Sequence, residues 1–169
     1  QWYKGTTALM GQTGSSLVLA NVSASDAGTY SVEVSGTCGN AVSNSASLTV
    51  NQSVAVAGAL VSVTNCPGSS ASFNVSATGT GLSYQWYKGT TAMAGQTGSS
   101  LVLANVSASD AGTYSVVVSG TCGTAVTNSA SLTVNQNVMV VTAPVSRTNC
   151  PGTSASFAVS ATGTGLSYQ

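Results

Sequence analysis

Branched and aromatic residues alternate with small polar ones in short runs along the whole chain. In ASFNVSA, Phe73, Val75 and Ala77 stand against Ser72, Asn74 and Ser76, and LSYQW sets Leu82, Tyr84 and Trp86 on one face. TYSVVVS offers Tyr114, Val116 and Val118, and SASLTV offers Ala130, Leu132 and Val134. Successive side chains of a strand point to opposite sides, so period-two alternation predicts strands with one buried face. Glycine-rich breaks (TGTG, GQTGSS, GTCG) separate these runs at hairpin spacing, which predicts an all-β sandwich or barrel. No stretch shows helical periodicity.

The pattern then recurs. Gln1, Gln85 and Gln169 are equivalent, so the period is 84 residues and the chain is two periods plus one residue. The copies agree at 71 of 84 positions, which points to recent duplication or strong homogenisation. Six of the 13 differences fall between Ser53 and Val63, against Asn137 to Arg147. That stretch is expected to be the first strand of each unit, where packing constrains the sequence least.

Charge removes several classes of function. The charged residues are Lys4, Asp26, Glu33, Lys88, Asp110 and Arg147, with a net charge of zero. No basic cluster exists to hold nucleic acid or an anionic membrane. No apolar run approaches the roughly 18 residues of a membrane helix. The N-terminus has no basic-then-apolar leader, so the chain reads as part of a mature protein. Serine and threonine make up roughly three residues in ten. Their abundance, with so little Lys or Glu, suits an extracellular or cell-surface protein.

Three segments resemble the immunoglobulin-like fold of the I-set type. They are the alternating run that ends at Ala77, QWYK around Trp86, and LVLANVSASDAGTYSV from Leu101 to Val116. Tandem bacterial Ig-like repeats of large secreted or cell-surface fibre and adhesin proteins are similar in kind. The Asp-x-Gly-x-Tyr run is the most specific feature. The resemblance makes Tyr114 a tyrosine corner, with Asp110 in its turn, and makes Trp86 the centre of the core. Tyr30, Asp26 and Trp2 are the equivalents in the first copy. One departure is clear: where many Ig domains carry the disulfide between strands B and F, this chain has Val75 and Val116, with Val159 and Val32 as counterparts. On this alignment residues 1–50 form strands C to G of one domain, 52–135 form a complete domain, and 136–169 form strands A and B of a third. The chain therefore reads either as a window on a long array or as a subunit whose two incomplete ends complete those of its neighbours by strand donation.

Cys38, Cys66, Cys122 and Cys150 recur with the period. By resemblance, Cys66 and Cys150 lie in the turn before strand B, and Cys38 and Cys122 lie between F and G. Cys66 is nine residues before Val75 and Cys122 six after Val116, which puts them at opposite ends of a domain. At ~3.3 Å per residue the separation is about 30 Å, far beyond the ~7 Å that a disulfide spans. Tandem stacking instead implies a disulfide across each junction. In a head-to-tail assembly Cys66 and Cys150 would meet Cys38 and Cys122 of the following copy. Free thiols, or pairs between adjacent fibres, are the alternatives. A zinc site is poorly matched, since there is no His.

Catalytic chemistry finds little here. Without His, no Ser–His–Asp arrangement forms, and Asp26 and Asp110 read as turn-capping residues. The basic partner such an Asp usually finds on strand D is missing from GQTGSS. Glu33 is Val117 in the other copy. TGTGLS lacks the lysine and helix of a phosphate loop. Lys4 and Lys88 are expected to lie along the sheet face, and Tyr3 and Tyr87 to cover the face opposite tryptophan. Asn21, Asn51, Asn74 and Asn105 begin glycosylation sequons, usable only in a host that glycosylates asparagine.

These readings converge on a non-enzymatic protein with no cofactor or metal. The expected function is structural: a repeat segment of an extracellular filament or adhesin stalk, stacked as a rod, with copies of itself as partners. The alternative is an Ig-like module that binds a surface protein or glycan. Binding arrays diversify their loops, whereas TGTGLS and GQTGSS are unchanged between copies and Asn40 against Thr124 is the one difference near the F–G tip.

Overall fold

Strand-forming alternation and glycine turns yield an all-β chain, described over residues 1–169 by a computed structural model. In the first segment, β1 (Trp2–Lys4), β2 (Thr7–Ala8), β3 (Gly28–Val34) and β4 (Val42–Leu48) form one antiparallel sheet in the order β2-β1-β3-β4. The central segment holds β5 (Ala55–Ala57), β6 (Val63–Asn65), β7 (Ala71–Asn74), β8 (Ser76–Thr78), β9 (Ser83–Lys88), β10 (Thr91–Ala92), β11 (Ser100–Leu103), β12 (Gly112–Ser119) and β13 (Val126–Val134). The last segment has β14 (Met139–Thr142) and β15 (Ser160–Thr162), which pair with each other.

Two layers face each other in the central segment. One is the five-stranded sheet β10-β9-β12-β13-β6, and the other is built from the pairs β11-β7 and β5-β8. The strand run Ala71–Thr78 changes partner at Val75: β7 lies against β11, and β8 against β5. Between the layers sit Phe73 and Leu101 from one side and Trp86, Tyr114, Val116 and Val118 from the other, all almost wholly buried. Phe73 is the bridge, its ring 5.3 Å from that of Tyr114 and 6.3 Å from that of Trp86. Full burial of each such side chain contributes about 1.5–3 kcal/mol. Val75 and Val116 are both in this core, and the slot is filled by branched aliphatics without a covalent pin.

The first strand departs from its sequence reading. It divides into β5, which joins the layer of β8, and β6, which crosses over to pair in parallel with β13. Gly58, at φ +79°, turns the chain between them. Nor is this stretch free of packing constraint. Leu60 is buried within the core cluster and Val63 packs against it, because a strand that changes layers must pass through the sandwich rim. Pro144 and Arg147 replace them in the last segment, where both are exposed.

Candidate functional site at the repeat poles

The corner before β12 is built by local hydrogen bonds. Asn105 takes a left-handed φ of +52°, a conformation asparagine tolerates better than most side chains. A single 3-10 turn, Ala108–Asp110, follows. The Asp110 carboxylate reaches back three residues and accepts both the Ser107 backbone N–H and the Ser107 hydroxyl, each at 2.8 Å. The Tyr114 hydroxyl donates to the Asp110 carbonyl at 2.8 Å and locks the corner to β12. Lys88 closes it from β9: its ammonium lies 5.8 Å from the centre of the Tyr114 ring and donates to the Ser109 carbonyl. Lys88, expected along the sheet face, thus brings its ammonium to the corner from β9, where it bonds the Ser109 carbonyl and not the Asp110 carboxylate. Its position on the neighbouring strand in the middle of a sheet gave no local signal.

The Ser107 backbone N–H above all, then the Ser107 hydroxyl and the Lys88 charge, hold Asp110 below the ordinary carboxylate value of 3.8. A depressed folded-state value stabilises the fold at pH above the ordinary value, and that contribution is lost as pH falls through the depressed one. Asp110→Asn is thus expected to lower Tm at neutral pH and to close the gap with the wild type on acidification below about pH 4. A gap that stays constant down to strongly acid pH would show that the carboxylate is not the source. The first copy repeats the arrangement through Ser23, Asp26, Tyr30 and Lys4. Both carboxylates are occupied by these turn bonds, which is a structural use of the group.

The same end of the central sandwich holds its exit. The Val106 N–H donates to the Ser69 carbonyl and the Gly68 N–H to the Val106 carbonyl, tying the turn that carries Cys66 to the corner. Asn65, one residue before Cys66, accepts the Asn135 N–H at 2.9 Å. The opposite end holds its entrance. Gln52 and Thr80 bond reciprocally: the Gln52 N–H donates to Thr80 Oγ1 at 2.9 Å, and the Thr80 N–H donates to the Gln52 carbonyl at 3.1 Å. Ser53 bridges Cys122, whose carbonyl accepts the Val54 N–H. Gly79, Gly120 and Gly123 let these turns close on the start of the first strand, where an added Cβ would lie within 3.2 Å of Val54 or Thr80.

The four cysteines lie where these turns lie. Cys66 is at the exit pole and Cys122 at the entrance pole; all four are thiols, unbonded within the chain. Trp86 is wholly buried and donates its indole N–H to the Gly98 carbonyl at 2.9 Å, whereas Trp2, with the same bond to Gly14, is half-exposed. Glu33 is exposed and accepts from the Tyr3 hydroxyl at 3.3 Å. No group of three or more acidic, Cys or His side chains is placed to hold a metal. No helix is long and apolar enough to cross a membrane.

No protein-family model matches the chain, and no curated protein matches it. Solved structures do. The I-band fragment I67–I69 from titin aligns over 85% of this chain with a TM-score of 0.67 and 21% identity. The chain is an immunoglobulin-like tandem. Extracellular domains 3–5 of Drosophila OTK align over 68% of it (TM-score 0.51, 17% identity). The complex of Dpr2 Ig1–Ig2 with DIP-Theta Ig1–Ig3 aligns over 70% (TM-score 0.54, 20% identity). The chain spans 57%, 42% and 44% of those chains, respectively, and at these identities the likeness establishes the fold alone.

Proposed function

We propose that this chain is a structural segment of an extracellular filament or adhesin stalk, of the kind its sequence resembles in bacterial surface arrays. Ig-like repeats would stack end to end as a stiff rod, divided as residues 1–50, 52–135 and 136–169. One observation carries this reading. Asn135 is held to the sandwich before it through Asn65, and the very next residue, Gln136, is held to the segment after it. Its N–H donates to Thr164 Oγ1 at 2.8 Å and its carbonyl accepts from the Thr164 N–H at 3.1 Å, the same pair of bonds that Gln52 makes with Thr80. A flexible linker needs unanchored residues, and this junction has a single peptide bond between two anchors.

The cysteines fit the same reading. Stacking brings the Cys66 pole of one repeat towards the Cys122 pole of the next. Oxidation by a low-molecular-weight disulfide such as oxidised glutathione would join them. Two thiols give up two electrons and two protons, and the oxidant is reduced to two thiols. Such a bond would carry tension covalently across the junction and places the protein in an oxidising compartment.

X-ray scattering from a chain of several consecutive repeats tests the rod. The native array is expected to show one extended maximum dimension, and a short Gly-Ser insertion between Asn135 and Gln136 at each junction to shorten and broaden it. If the insertion leaves the scattering unchanged, the junction is not what stiffens the array. Non-reducing peptide maps of the same oxidised sample are expected to recover Cys66 joined to the next repeat's equivalent of Cys122. Free thiols at both positions remove the covalent part of the reading.

A further inference from the structure

The sheet edges of the central sandwich are short or covered, with one exception. β10 is two residues long, and beyond it β9 is met by the chain that follows. The Trp86 N–H donates to the Gln96 carbonyl at 3.1 Å, and the Gln85 side-chain amide donates to the Trp86 and Met93 carbonyls, each at 2.8 Å. β5 and β6 are three residues each. Where β13 runs past β6, the Asn128 side chain accepts the Leu60 N–H and donates to the Gly58 carbonyl, and the Ser62 hydroxyl accepts the Ser131 N–H. The exception is β11, whose one ladder is to β7. The Val75 N–H donates to the Ser99 carbonyl at 2.9 Å. Bonding pairs alternate along an antiparallel ladder, so residues 99, 101 and 103 bond β7 while Ser100 and Val102 turn N–H and C=O outward. No hydrogen bond within the chain meets those outward groups.

We propose that this edge pairs with the same edge of a second copy, antiparallel about a twofold axis at Val102, so that repeats join side by side. Proteins guard free edges with charged residues, proline or bulges. Residues 89–109 contain no charged residue and no proline, and the β11–β7 register runs without a shift. Val102 is 62% exposed on the outer face, and Val61 is the one other large hydrophobic of residues 52–135 that stands as open.

A second copy of β11 is the occupant because the strand is its own complement. The sequence Ser100-Leu-Val-Leu-Ala104 is symmetric in size and polarity about its centre. With Val102 opposite its counterpart, Ser100 faces Ala104 and Leu101 faces Leu103 of the other copy. The outward N–H and C=O groups then bond each other, and the two valines meet on the outer face. Leu103, half-buried in one sandwich, lies beside the wholly buried Leu101 of its neighbour. Neither strand carries a charge to oppose the approach. A single contact over residues 100–104 falls short of the roughly 1,000 Å² that a lasting interface buries. Residues 11–26 repeat 95–110 without a change, so each repeat offers the same strand. Where repeats stack in an array, a reading on which this multiplication rests, one contact raises the effective concentration of the next.

Light scattering on a chain of several consecutive repeats, at ~0.15 M salt where charges more than about 8 Å apart are screened, reads the pairing. The wild type is expected to rise with concentration from the mass of one chain to at least twice that mass. Val102→Lys in every repeat sets like charges opposite each other on the axis, which opposes pairing, and the mass should stay that of one chain. Val61→Lys adds the same charge at a 75% exposed position off the edge and should associate as the wild type does. Val102→Lys and Val102→Glu chains, each single alone, should pair when mixed in equal amounts, because the axis brings position 102 against itself. Urea unfolding matched to the wild type verifies that the variants are folded. A wild type that stays single at every concentration overturns the proposal. So do Val102→Lys chains that still associate, an equal loss in Val61→Lys, or a mixture that remains single. The maximum dimension of the unpaired Val102→Lys chain still reads the rod, so failed pairing leaves the stacked reading standing, and a flexible chain that pairs overturns the rod alone.

Discussion

Trp86→Ala is expected to lower the stability of the central sandwich by about 3–5 kcal/mol, the range for truncating a buried aromatic. Trp86 is wholly enclosed, and its ring meets Phe73 from the opposite layer. Its removal opens a cavity that the rigid ladder of β9, β12 and β13 cannot close, and the Gly98 carbonyl loses its indole donor. A small domain is typically stable by about 5–15 kcal/mol, so the variant would be close to unfolding at room temperature. Val102→Ala is the internal control, at a 62% exposed position on β11 of the same sandwich. Its smaller burial predicts a much smaller loss. Urea unfolding followed by circular dichroism separates the two variants. Equal destabilisation would mean that Trp86 is not the core residue that its burial indicates.

Gly79→Ala is expected to be strongly destabilising, for two reasons that add. Its φ of +147° is a conformation that side-chain-bearing residues rarely adopt, and strain of that kind is worth about 1–3 kcal/mol. Its Cβ would also lie 2.9 Å from Leu82 Cδ2, 3.2 Å from Val54 Cα and 3.3 Å from the Ser53 carbonyl. Two of those three atoms are backbone, so the turn itself must back away, with an overpacking cost of about 1–3 kcal/mol. Retreat of the turn pulls Thr80 from Gln52 and loosens the entrance pole as well as the fold. Gly89→Ala is the control, since φ is +57° there but an added Cβ meets nothing within 4 Å. Matched urea curves should show the Gly79 variant less stable than the Gly89 variant. If the two are equally stable, close packing at the entrance pole contributes nothing.

Much of the architecture was legible in the chain because strands announce themselves locally. Alternation at 71–77, 82–86, 114–118 and 130–134 placed strands and faces, and the period exposed the tandem. The failures share one cause, contact between distant segments. Nothing in residues 53–65 shows that this stretch crosses from one layer to the other, because the crossing is decided by β8 and β13. The sheet-face position expected for Lys88 likewise leaves out its bond to the Ser109 carbonyl, which depends on how β9 lies against β12.

The near-identical copies separate what is local from what is not. Ser23 and Ser107, with Asp26 and Asp110 three residues on, form the same capped turn with the same 2.8 Å bonds in both copies. Tyr30 and Tyr114 close it alike, at 2.7 and 2.8 Å. Those partners lie within four residues of one another, so amino-acid order alone determines them whatever else surrounds the turn. Burial behaves otherwise. Phe73 is sealed only because Trp86, Leu101 and Tyr114, from strands farther along the chain, close over it. Removing apolar surface from water requires an opposing face. That face comes from strands far along the chain, and only the tertiary structure decides whether it is there.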